Sequence, residues 1–159
     1  MAERQNSSPD SQSHGDWTQA HENQLSYEII GAAMEVHREL GPGLIESVYE
    51  EALCHELHLR GLSFERQQPV LISYEGIKLA TDLRLDLLVE EKVIIDLKAK
   101  EQLSFLDKPK LLTYLRLLKL RLGLLINFHT PILKDGVFRV VNDLADPSPI
   151  TDSPPDLHA

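Results

Sequence analysis

The stretch Val93-Ile94-Ile95-Asp96-Leu97-Lys98 limits what this chain can fold into more than any other. Its apolar, β-branched start reads as a strand buried on both faces, and such strands sit in the middle of sheets. Aspartate and lysine are rarely buried there without a partner, so Asp96 and Lys98 need a reason. Before them, Thr81–Val89 alternates polar and apolar residues, and Glu90-Glu91-Lys92 turns the chain back. Residues 81–100 therefore read as a β-hairpin. Strand side chains alternate faces, which puts Asp82, Arg84 and Asp86 on one side and Leu83, Leu85 and Leu87 on the other. On the second strand Asp96 and Lys98 share a face, opposite Ile95, Leu97 and Ala99. If the polar faces coincide, Asp86, Asp96 and Lys98 converge.

Two carboxylates that close repel each other unless a cation neutralises them. Carboxylate oxygens suit Mg²⁺, which keeps several waters and adds phosphate oxygens from a substrate. Such an ion polarises a phosphodiester and lowers the pKa of its bound water. The Lys98 ammonium could position that water or stabilise charge developing on the phosphate. From the hairpin alone, a solvated face with a cross-strand ion pair accounts for the same residues equally well.

Helical spacing runs through Leu25–Leu40, with Ile29, Ile30, Ala33, Val36 and Leu40 on one side. Gly41-Pro42-Gly43 breaks that helix. Leu44–Arg60 reads as a second helix, striped by Leu44, Val48, Ala52 and either Leu53 or Leu57, with Gly61 suited to its C′ position. Ser63–Tyr74 reads as a strand and Glu75-Gly76 as a turn. A further strand runs with interruption from Ile77 to Val89, followed by Val93–Ala99. Leu111–Leu120 reads as a leucine-rich helix, Gly123–Phe128 as a short strand buried on both faces, and Val137–Val141 as a final edge strand. This order predicts an α/β fold, a mixed central sheet flanked by helices.

The chain has 159 residues, enough for one domain. That domain is expected at 25–142. Residues 1–24 and 143–159 read as disordered tails, the first polar and the second acidic and proline-rich. No apolar run approaches the ~20 residues that span a bilayer, and the start lacks the apolar segment of a secretory signal. The single cysteine, Cys54, cannot form an intramolecular disulfide, and a cytoplasmic location is expected. Cys54 falls in an apolar helical pattern, so it reads as a core residue. His55-Glu56-Leu57-His58 lacks the spacing of a zinc protease.

A net charge of −9 argues at first against a nucleic-acid partner. The acid, however, gathers in the tails. Asp143, Asp146, Asp152 and Asp156 have no lysine or arginine among them. Residues 98–121 hold Lys98, Lys100, Lys108, Lys110, Arg116, Lys119 and Arg121 against only Glu101 and Asp107. The base lies just downstream of the candidate site.

Gly43-Leu44-Ile45-Glu46-Ser47-Val48-Tyr49 resembles the signature of the GxxExxY protein family. The stretches ELGPGLIESVYEEAL, RLDLLVEEKVIIDLKAKEQL and YLRLLKLRLGLLINF are similar to that family too. The family belongs to the PD-(D/E)XK nuclease superfamily, so the resemblance implies a restriction-endonuclease-like αβββαβ core and a metal-dependent nuclease. It implies that Glu46, Asp86 and Asp96 hold the metal, Mg²⁺ or alternatively Mn²⁺, and that Lys98 completes the catalytic set. Aspartate stands at 96 where many members have glutamate. The helix after the lysine resembles H-x-x-Q-x-x-x-Y in the family. Here those positions are Asp107, Lys110 and Tyr114. Lys100, Lys108, Lys110 and Tyr114 are expected to contact DNA or RNA. Asp107 would repel a phosphate, which keeps a second expectation in view: a catalytically inactive nuclease-fold protein that binds nucleic acid or a protein partner.

Overall fold

The computed structural model describes residues 14–143, with side chains from residue 19. Helix α1 (His14–Leu40) ends at Gly41, whose left-handed φ of 68° lets the chain turn out of the helix. Helix α2 (Glu46–Leu59) follows. Then come β1 (Phe64–Pro69), the short pair β2 (Ile72–Tyr74) and β3 (Ile77–Leu79), β4 (Arg84–Val89) and β5 (Val93–Lys98). Helix α3 (Asp107–Leu118) leads to β6 (Leu122–Asn127), a 3₁₀ turn at Leu133–Gly136, and β7 (Val137–Val141).

The main sheet runs β1-β4-β5-β6-β7, with β5 and β6 parallel and every other neighbour antiparallel. Beneath one face lie α1 and α2: Leu25, Ile29, Ala33 and Val36 pack with Leu53 and Leu57 against Val93, Ile95, Leu97, Leu124 and Ile126. On the other face Leu111, Tyr114 and Leu115 of α3 meet Leu85, Ile94 and Leu125. Gly123 sets how close α3 comes, because a Cβ there would lie 2.9 Å from the Leu111 side chain. The expected mixed sheet with helices on both faces is thus present, and β5 is its buried centre.

Several local expectations change. Residues 14–24, expected as part of a tail, continue α1. Within it His21 bonds Lys92, and Asn23 accepts from Arg139. The rest of the expected tails, 1–13 and 144–159, lies outside the described residues. In α2, which starts at Glu46 rather than Leu44, the buried stripe is Tyr49, Leu53, Cys54 and Leu57, whereas Val48, and Leu44 in the loop before it, face out. Tyr49 decides that rotation by stacking on Phe128, ring centroids 4.5 Å apart. Gly61 takes the expected C′ place at φ 72°, with the Gly61 and Leu62 amides returned to the carbonyls of His58 and Leu57. Ser63–Tyr74 is two strands, not one. Pro69 ends β1, and the chain leaves the main sheet to form the separate β2–β3 ribbon. Cys54 is buried, and burial pushes its thiol up to about 11, as for an inert core residue.

Candidate active site

Strands β4 and β5 pair from Val89↔Val93 to Leu87↔Ile95. The next residue of β4 is Asp86, and the ladder stops there. Its carboxylate Oδ2 accepts the Leu97 amide at 2.8 Å, taking the place of a backbone acceptor. This puts Asp86 against the residue between Asp96 and Lys98. Face alternation breaks at the same point: Leu85 joins the α3 layer, while Leu87 and Val89 lie under α1 and α2. The expected single face for Leu83, Leu85 and Leu87 is therefore not kept, and Asp82 and Arg84 play no part in the cluster. Arg84 instead donates to the Gln67 carbonyl. Gln67 stands opposite Asp86 on β1, between the pairs Arg66↔Leu87 and Gln68↔Leu85, and has a left-handed φ of 49°. That conformation is costly for a non-glycine residue and recurs near functional sites.

Asp96 is buried on the α3 face, since its neighbour Ile94 packs against that helix. Asp96 Oδ1 lies 3.3 Å from the Lys98 ammonium. Asp96 Oδ2 is buried and has no hydrogen-bond partner among the described residues. A buried carboxylate oxygen without a donor is expensive, and such an orphan calls for a water or an ion. Glu46 opens α2 and projects toward the same place, in the electrostatic field of Lys98, Asp96, Glu50 and Lys100.

The charges register this crowding. Burial, then the nearby Asp96, Glu46 and Glu50, push Asp86 up to about 6, despite the opposing Leu97 amide. Glu46 is also raised, first by burial and then by its acidic neighbours, against the pull of Lys98 and Lys100. Burial works against the charge of Lys98, but Asp96, Glu46 and Asp107 outweigh it and hold the ammonium protonated. The site is a partly buried cluster with more acid than its own lysine balances.

The donor set, all carboxylate oxygens with one left bare, fits a hard divalent cation. The fit is strongest for Asp86 and Asp96. Among the described residues no three His, Cys, Asp or Glu side chains stand close enough to hold one ion as they are. Glu46 is therefore a neighbour of the pair rather than a third ligand already in place. A cleft of about 250 Å³ is lined by Glu46, Ser47, Glu50, Gln67 and Leu97. A larger cavity, about 360 Å³, lies at the other end of β6 by Glu22, Arg121 and Arg139, and contains none of these groups.

The four residues expected on nucleic acid do not form one track. Tyr114 is nearly buried beside Asp96 and Lys98, and burial, then Asp96, raises its hydroxyl. Lys110 sits over the Tyr114 ring at 5.6 Å, close to the cluster. Lys100 is bound to Asp107 at 2.8 Å, so part of its charge is already used. Lys108 rests 4.1 Å over Phe138 of β7. Phe138 aligns with Leu125 and Asp96 across the sheet, which places Lys108 two strands from the acid, roughly 10 Å on ordinary strand spacing. Asp107 is buried. Burial opposes its charge, but Lys100, the Ser104 amide and Lys98 overcome that and hold it below the usual carboxylate range.

Three contributors escaped the sequence reading. Glu50 is one turn beyond Glu46 and is held by Gln67 at 2.7 Å and Arg66 at 3.2 Å. Its i+4 spacing from Glu46 was the available signal. Gln67 left no trace in the sequence, because its role depends on backbone conformation. Asn127 brackets Lys100, accepting its amide and donating to its carbonyl, and so fixes the chain just after Lys98. A lone polar residue ending the apolar β6 was its signal. Tyr49 is an anchor. Its hydroxyl donates to the Gly41 carbonyl and accepts the Leu44 amide, pinning the loop that starts α2.

No curated protein and no solved structure matches the chain. A family model described as the PD-(D/E)XK nuclease superfamily matches residues 23–140. That span runs from α1 into β7 and takes in the strands that carry Asp86, Asp96 and Lys98, so the chain belongs to the PD-(D/E)XK nuclease superfamily.

Proposed function

We propose that this protein is a Mg²⁺-dependent nuclease of the GxxExxY type, hydrolysing phosphodiester bonds of DNA or RNA, with Mn²⁺ as an alternative ion. The observation that carries this reading is the bare, buried Asp96 Oδ2 beside an Asp86 carboxyl raised to about 6. Asp86 and Asp96 would hold the cation, and Glu46 would join them once an ion neutralises the cluster. A bound ion supplies polarisation of the phosphate and a more acidic water.

The chain's own groups have distinct tasks. The Leu97 amide fixes the Asp86 carboxylate, so one acid does not have to be ordered when substrate arrives. Lys98 keeps its proton beside Asp96, and its ammonium offers positive charge where the attacked phosphate becomes more negative. Asn127 restrains the backbone behind Lys98. Tyr114 and Lys110 lie near enough to meet a phosphate flanking the cut, while Lys100 and Lys108 are available only at the margin. The domain with this activity is placed at 25–142, with residues 14–24 as a helical extension. No helix among the described residues is long and apolar enough to cross a membrane, and a cytoplasmic location agrees with the lone buried thiol.

A second reading is a nuclease fold that binds nucleic acid or a protein without cutting. The Lys100–Asp107 pair favours it, as does the lack of three convergent ligands among the described residues. Cleavage of labelled single- and double-stranded DNA and RNA, with Mg²⁺, Mn²⁺ or chelator, separates the two. The nuclease reading expects metal-dependent products that fall by at least about a hundredfold in Asp86→Ala and Lys98→Ala. No cleavage of any substrate by the wild type would leave the binding reading. Cleavage unchanged in both variants would move the site elsewhere.

A further inference from the structure

Next in sequence to groups of the acidic cluster, two exposed apolar segments break the ordinary rules for helix starts. Ile45 is the N-cap of α2 and Leu106 the N-cap of α3, and neither offers a side-chain cap. Polar residues are strongly preferred there, and an isoleucine or leucine costs about 1 kcal/mol relative to them. Ile45 is 70% exposed and Leu106 58%, so neither is compensated by burial. Phe105, next to Leu106, is 87% exposed, more than any other large apolar side chain among the described residues.

Phe105 is nonetheless held on a well-tied turn. The Ser104 amide donates to Asp107, the Leu106 amide to the Ser104 hydroxyl, and the Asp107 amide to the Ser104 carbonyl. Asp107 in turn binds Lys100, two residues beyond Lys98. Ile45 immediately precedes Glu46, which lies in the field of Lys98 and Lys100. Ile45 is therefore one residue from the cleft-lining Glu46, and Phe105 two residues from Asp107, whose charge acts on Lys98.

Resting on the nuclease reading above, we infer that Phe105 is a stacking platform for an unpaired base beside the scissile phosphate. The substrate is then a nucleic acid that is single-stranded at the cut. Continuity with the phosphate-handling groups selects this occupant over a protein partner. A fixed aromatic face next to a metal-and-lysine cluster suits a base attached to the phosphate being cut, and every base offers a π-face. A duplex keeps its bases stacked on one another and leaves the ring nothing to take up.

The test measures affinity of the full chain for a labelled single strand and for the blunt duplex of the same sequence, by anisotropy in Ca²⁺ and in chelator. A 2-aminopurine next to the label reports stacking directly. Phe105→Ala is expected to weaken single-strand binding about tenfold, to leave duplex binding unchanged, and to relieve 2-aminopurine quenching. Phe105→Trp should restore all three, and Phe105→Leu should not. Phe105 is exposed, so these variants keep the wild-type melting temperature. Equal loss on both substrates, no loss at all, or rescue by leucine as good as by tryptophan would overturn the platform while leaving the nuclease reading intact. A wild type that binds neither substrate would overturn both, and wild-type cleavage of duplex alone would overturn the platform only.

Discussion

Asp86 has two duties that oppose each other. Its carboxylate ties β4 to the Leu97 amide, yet burial and three acidic neighbours make its charge unwelcome. Its pKa rises from 3.8 to about 6 on folding, so folding favours the protonated form. That stability is fully present below pH 3.8 and is lost as pH rises through 6. At pH 7.5 without metal the protein carries the whole penalty, on the order of 3 kcal/mol. Asparagine keeps an acceptor for Leu97 and removes the charge. Asp86→Asn should therefore melt higher than the wild type at pH 7.5 in chelator, and the gap should close toward pH 4. Added Mg²⁺ should raise the wild type and leave the variant where it was. A variant that melts lower at pH 7.5 in chelator would mean the hydrogen bond to a charged acceptor outweighs the repulsion.

At the scale of elements, the site depends on where two helices begin. Tyr49 ties the Gly41–Leu44 loop to α2 through two hydrogen bonds and stacks on Phe128, which follows β6. The tyrosine thus fixes the start of α2 and with it the position of Glu46. Tyr49→Phe keeps the stacking and leaves the Leu44 amide and the Gly41 carbonyl without that partner. It should cost about 1–2 kcal/mol in urea unfolding and lower kcat more than KM. An unchanged midpoint would show that the hydroxyl is not an anchor. Element order was legible because apolar runs such as Val93–Ile95 and Leu124–Ile126 have few alternatives. The rotation of α2 was not, since two stripes of similar hydrophobicity share that helix and only packing against Phe128 chooses between them. The break of alternation at Asp86 was hidden for a related reason: it requires Gln67 of another strand in a left-handed conformation. The contacts of His21 with Lys92 and of Asn23 with Arg139 were hidden too, because polar contacts leave no periodicity.

For the whole molecule, the sheet brings together residues that the sequence keeps far apart. Glu46 comes from the α1/α2 layer, Asp96 and Lys98 face α3, and the parted end of β4 and β5 lets them share one region. Strand periodicity put Asp96 and Lys98 on one face, and they pair at 3.3 Å. The contact of Asp86 with the Leu97 amide depends on the parted ladder, which periodicity does not show. Nor does it show the pairing of Lys100 with Asp107, which depends on how the loop before α3 folds back. The central claim is that Asp86 and Asp96 form a divalent-cation site. Calorimetric titration of Mn²⁺ into the full chain at pH 7.5 tests it most directly. The account predicts saturable binding by the wild type that is lost in both Asp86→Asn and Asp96→Asn, and only weakened in Glu46→Gln. Absence of binding in the wild type, or binding undiminished in the two aspartate variants, would contradict it.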